Sequence, residues 1–167
     1  MVELMREILF KGKKKDNGEW IEGYLFDDGM LGEKRMFIGK LVIAPYEGPI
    51  RGKWTVIANG FDEVDPDTIC EYTGLTDKNG KKIWENDIIK YHFGEICAPI
   101  KYGCYQNCFD SQKTEHVGFY VDWSDDKCLR KDLGFWINMV GTMQVGNIFD
   151  NPELLQEESN EKISISD

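Results

Sequence analysis

The chain has 167 residues, 41% of them hydrophobic and 13% aromatic, with a formal charge of −10. Folding at this size buries roughly 70% of the unfolded chain's surface, enough for an ordinary core, and the aromatic density excludes wholesale disorder. Lys and Arg stand against Asp and Glu at 10 to 9 over residues 1–60, 5 to 10 over 61–110 and 5 to 11 over 111–167, so most of the surface repels phosphate backbones.

Residues 7–11 and 19–26 read as strands around Asp16-Asn17-Gly18, an Asn-Gly turn of the type I′ kind with positive φ at both central positions. In the second strand Trp20, Glu22, Tyr24 and Phe26 share one face and Ile21, Gly23 and Leu25 the other, which predicts partial cover on both sides. Lys11, Lys13, Lys14 and Lys15 read as a solvated hairpin tip in preference to a phosphate-binding patch. After a Gly-rich loop over 27–34, residues 35–44 form a strand whose Leu41-Val42-Ile43 run predicts burial. Residues 45–53 form a loop and 54–58 a strand, and Asn59-Gly60 closes a second hairpin.

Asp65-Pro66-Asp67 marks a boundary, because Pro66 fixes its own φ and pushes Asp65 toward extended conformations. Further strands are expected over 68–72, 82–84, 87–93, 96–102, 117–123, 135–139 and 143–148, with a turn at 77–80. A single short helix is expected over 151–157, with Asn151 as its cap and Pro152 at its first position, followed by an acidic flexible tail over 158–167. No N-terminal stretch has signal-peptide order, and no apolar run approaches the roughly 20 residues that cross a bilayer. The expectation is a soluble, cytoplasmic protein without a membrane partner, its five cysteines (Cys70, Cys97, Cys104, Cys108, Cys128) all free thiols.

The most informative stretch is Tyr72-Thr73-Gly74-Leu75-Thr76-Asp77-Lys78-Asn79-Gly80-Lys81-Lys82-Ile83-Trp84-Glu85-Asn86-Asp87-Ile88-Ile89, which packs three turn signals between two apolar strands. Met5-Arg6-Glu7-Ile8-Leu9-Phe10 precedes it, and Val140-Gly141 through Gly146-Asn147-Ile148-Phe149-Asp150-Asn151-Pro152-Glu153-Leu154-Leu155 follows. Together these resemble the YopX family of phage and prophage proteins over roughly residues 5–155. The resemblance implies a small β-rich protein with an SH3-like barrel in its second part, and it brings no activity with it. The expected fold class is mainly β: an N-terminal β-sheet portion over 1–65, joined to an SH3-like barrel over 66–157, with the short C-terminal helix.

Glu85 and Asp87 around Asn86 invite an acid/base reading. The family usually has glycine at the position of Asn86, and asparagine is the side chain that best tolerates positive φ, so a turn is preferred. Cys104 and Cys108 with His92 and His116 could supply metal ligands, but the spacing does not fit close pairs separated by a dozen or so residues. Cysteine nucleophilicity would need a histidine oriented by a third group. Trp123, Phe135 and Trp136 suggest base stacking, opposed by Asp122, Asp125, Asp126 and Asp132 nearby. Gly29 to Gly39 opens no helix, which excludes a Walker or dinucleotide loop.

No catalytic, cofactor or metal residue is assigned. The expected function is that of a non-enzymatic interaction protein with an unknown host or phage protein partner, which self-association would accompany by covering edge strands. An accessory protein binding single-stranded nucleic acid is the alternative, and a small hydrolase ranks third.

Overall fold

Short apolar alternations broken by Gly and Asn turns produce a mainly β protein with antiparallel sheets in the computed structural model, which describes residues 7–91, 96–123 and 128–155. Met5, Arg6, His92, Asp125, Asp126, the end of the expected 151–157 helix and the tail over 158–167 lie outside those residues. The chain divides into two units, Met1–Tyr72 and Thr73–Asp167. Among the described residues no helix is long and apolar enough to cross a membrane.

The first unit holds β1 (Phe10–Lys13), β2 (Trp20–Asp27), β3 (Met36–Pro45) and β4 (Trp54–Val64), a 3-10 turn at Pro66–Thr68, and the start of β5 (Cys70–Thr76). Its strand order is β4-β3-β2-β1-β5. The sheet curls, so that Lys14 pairs with Val64 and the Lys15 N–H donates to the Glu63 carbonyl at 2.9 Å. Ile38 and Val64 are fully buried on the inner face, where a Cβ on Gly12 would lie 3.2 Å from the Val64 Cβ. On the outer face Trp20 is half-buried while Tyr24 and Phe26 are exposed, so the partial cover expected on both sides of β2 is thinner there than on the Gly23 side.

The first hairpin forms where expected, with a different turn. The Gly18 N–H donates to the Lys14 carbonyl and the Lys14 N–H to the Glu19 carbonyl. Gly18 alone takes a positive φ, 73°, while the Asn17 side-chain oxygen accepts the Glu19 N–H. Asn59-Gly60 is not a hairpin at all. β4 runs straight through it, and the register jumps from Gly39↔Phe61 to Leu41↔Ala58, leaving two residues of β4 opposite Lys40. This is a β-bulge, which uses the positive φ of Gly60, 94°, as readily as a turn would.

The second unit holds the end of β5, β6 (Lys82–Trp84), β7 (Asp87–Lys90), β8 (Cys97–Tyr105), β9 (His116–Val121) and β10 (Gln144–Asn147). Four of these form an antiparallel sheet in the order β10-β7-β8-β9, which is open among the described residues; no closed barrel is found there. Ile83, Ile89, Ala98, Ile100, Val121, Trp123, Leu133, Trp136 and Ile137 make its core.

Residues 135–139, expected as a strand, are helical: a wide π-type turn spans Phe135–Val140. Leu133, Trp136 and Ile137 are buried and Val140 packs beside them, the i, i+3, i+4, i+7 spacing of a helix face. Gly141 ends the helix at φ 75°, and the Thr142 N–H donates to the Trp136 carbonyl. The expected C-terminal helix is, within the described residues, one 3-10 turn at Pro152–Leu155. Asn151 does not cap it with its side chain; its Oδ1 accepts the Asn147 N–H at 3.3 Å and fastens the end of β10 instead.

Candidate functional site

The signature stretch builds a fixed corner. Asp77 Oδ1 accepts the Asn79 and Lys81 N–H groups, and Gly80 takes φ 79° to close that turn. Thr73 Oγ1 donates to the Ile83 carbonyl at 2.7 Å, tying β5 to β6. Asn86 then turns the chain into β7 with φ 64°, the only positive φ among the described non-glycine residues. Its N–H donates to the Ile100 carbonyl and its carbonyl accepts the Ile148 N–H, while the fully buried Asp87 accepts the Trp84 N–H through Oδ2 at 2.9 Å. Asp87 thus serves as a buried acceptor for backbone. Asn86→Gly is expected to leave the melting temperature unchanged or slightly raised, whereas Asn86→Val should cost about 1–2 kcal/mol because a β-branched side chain lacks asparagine's tolerance of positive φ. Equal melting temperatures for the two variants would refute the turn role.

The cysteine expectation is overturned in part. Cys108 and Cys128 form a disulfide, with Cα atoms 5.7 Å apart, while Cys70, Cys97 and Cys104 remain thiols. The pairing follows from the loop after β8. Asn107 accepts the Lys131 N–H at 2.8 Å and donates to Asp132 Oδ2 at 3.0 Å, which lays residue 108 beside residue 128. Cys108 is therefore no thiolate ligand, and His116 places its Nε2 3.1 Å from Asp110 Oδ2. No group of three metal-ligating side chains occurs among the described residues.

What the sequence does not announce is the network above this loop. Asp132 accepts from Tyr105 at 3.1 Å, from Asn107 and from the Arg130 Nε at 2.7 Å. Burial opposes its ionisation, but the hydrogen bonds from Arg130, Asn107 and Tyr105 together hold the carboxyl below its ordinary range. Burial first, then the Asp132 charge and the hydrogen bond to it, push the Tyr105 phenol up to about 12. Tyr105 stacks between His116 and Tyr120, each with ring centroids 5.2 Å away. An open cleft of about 410 Å³ lies against Cys104, Tyr105, Gln106, Glu115, Tyr120 and Lys131.

At neutral pH Tyr105 is a donor and Asp132 the acceptor of three hydrogen bonds, which suits them to hold the loop in place. Because the phenol's folded pKa lies above its unfolded value, its stabilising contribution is complete below pH 10 and is lost as pH rises through about 12. A spectrophotometric titration of wild type minus Tyr105→Phe should show one phenol ionising near pH 12. A difference curve centred near pH 10 would contradict this.

Of the three aromatics read for stacking, Trp123 and Trp136 are core residues whose indole N–H groups both donate to the Arg130 carbonyl, at 3.1 and 2.6 Å. Phe135 packs on the same core beneath the Arg130 guanidinium. The acidic residues read beside them are paired: Asp122 with Lys101 and Asp132 with Arg130. The lysine cluster separates, Lys14 reaching Asp62 and Lys15 reaching Glu63, while Lys11 and Lys13 hold their Nζ atoms 4.9 and 5.4 Å from the centre of the Trp20 ring.

An exposed apolar feature lies where burial was expected. β2 pairs with β3 no further than Gly39, so beyond the bulge β3 and β4 continue as a two-stranded ribbon in the register Val42↔Ile57, Ile43↔Val56, Ala44↔Thr55 and Pro45↔Trp54. The Tyr46 N–H closes its tip on the Lys53 carbonyl. Val42 and Ile57 are exposed on one face; on the other Ile43, Val56 and Trp54 are 64%, 56% and 69% exposed. The Leu41-Val42-Ile43 run thus corrects the reading of a buried strand: its strand partner is present, and among the described residues no layer covers Val42 and Ile43.

Among solved structures the chain is similar to protein EF1440 from Enterococcus faecalis, with a TM-score of 0.54 and 23% identity, covering 91% of this chain and all of that one. At that identity the likeness is one of fold. No curated protein matches the sequence. The family described as "YopX protein" matches residues 10–156, taking in the signature corner, the Tyr105 network and the ribbon alike. On that extent of match, the chain belongs to the YopX family.

Proposed function

We propose that this YopX family member is a non-enzymatic protein-interaction module of a phage or prophage, with its second unit built in the manner of an SH3-like fold. The observation that carries this is the β3–β4 ribbon, whose apolar side chains face solvent on both sides. Exposed apolar patches of this kind mark interaction surfaces in soluble proteins. A photo-crosslinking residue placed at Val56 should give covalent adducts with protein in the host cell, and the same residue at the exposed Lys113 should not. Absence of adducts from position 56 overturns the reading. A cytoplasmic setting stands against the Cys108–Cys128 bridge, since such pairs are kept reduced there, and thiol trapping during lysis decides between them.

A second reading, an accessory role on single-stranded nucleic acid, is favoured by one feature. Lys11 and Lys13 flank Trp20 on the outer sheet face, near the exposed Tyr24 and Phe26. Cations interleaved with aromatics are what sequence-tolerant strand binding requires. Binding to single-stranded DNA that falls steeply as salt rises would support it, and no binding at low salt would dismiss it.

A further inference from the structure

We propose that the β3–β4 ribbon is an exchange arm that docks on the acidic body of a second copy of this chain, the two arms reciprocally making a dimer. This rests on the reading of the ribbon as an interaction surface and names its partner. An isolated two-stranded hairpin is marginal in water, and this one carries Val42, Ile43, Trp54, Val56 and Ile57 into solvent from both faces. Long, flat apolar edges are covered in native proteins because uncovered ones aggregate.

Charge selects the cover. Residues 40–57 contain Lys40, Arg51 and Lys53 against Glu47, a net of +2, in a chain of −10, so the remainder carries −12. Two ribbons laid on each other would bring cationic segments together. The complement of a basic, apolar ribbon is the acidic remainder of the same protein, and exchange across a two-fold axis satisfies both copies at once.

Light scattering at micromolar concentration should give twice the 19.3 kDa of one chain. Trp54→Ser combined with Val56→Ser should give monomers with an unchanged circular dichroism spectrum. Arg51→Glu combined with Lys53→Glu, at exposed positions, should weaken the dimer about tenfold or more. A wild-type mass of one chain, or a dimer that survives both double substitutions, overturns the proposal. In the first case, adducts from position 56 to another protein would leave the interaction role standing with a different partner, and no adducts would remove both.

Discussion

Trp136→Ala is expected to destabilise the second unit by about 3–5 kcal/mol, the range for removing a large aromatic from a packed core. The side chain is buried at the centre of the cluster and meets Trp123, Phe135 and Tyr91 edge to face, with centroids 5.1, 5.4 and 5.8 Å away. These geometries add to simple area burial. Its indole N–H also donates to the Arg130 carbonyl, which Trp123 shares, so the acceptor keeps one partner when Trp136 is removed. The loss is therefore mainly one of packing. Against a total stability of about 5–15 kcal/mol for an ordinary domain, it should shift the urea midpoint far to lower concentration. Met139→Ala, three residues along on the exposed side of the same turn, should change the midpoint little. If Trp136→Ala stays within about 1 kcal/mol of wild type, the helical turn at Phe135–Val140 is not part of the core.

The same turn shows why only part of this fold is legible in the sequence. Strand β2 and the Asp77–Gly80 turn can be read locally, because alternation and turn chemistry act over two to four residues. Leu133, Trp136, Ile137 and Val140 also carry a helical period, but over two turns only and in residues that favour strands, so propensity outweighs it. Asn59-Gly60 supplies positive φ, and nothing local states whether a turn or a bulge will use it. An apolar run such as Leu41-Val42-Ile43 reports what should be covered, not whether the same chain covers it. The Tyr105 network joins residues 25 to 27 positions apart, a proximity that only the β8–β9 hairpin and the loop after it create. Asn86 was legible because a single backbone conformation, φ 64°, sets its residue type.

Breaking the Cys108–Cys128 bridge is expected to have the second large effect, about 3 kcal/mol. The bridge closes a loop between residues 20 apart, and loop-closure entropy of the unfolded chain gives a figure of that order. Denatured protein, without reductant, should titrate three thiols, those of Cys70, Cys97 and Cys104, and five after reduction. Cys108→Ser combined with Cys128→Ser should match the reduced wild type in stability. The substituted loop would still be held by Asn107 through its bonds to Lys131 and Asp132, so local order should survive while the global midpoint falls. Asn107→Ala in the serine background separates these contributions, because it removes the hydrogen bonds that bring the two segments together. Cys104→Ser, at an exposed position of β8, is the control and should leave the midpoint unchanged. Five thiols in denatured, unreduced protein would show that residues 108 and 128 are neighbours that do not bond, and would restore the free-thiol reading of all five cysteines; equal stability with and without reductant would refute the loop-closure contribution.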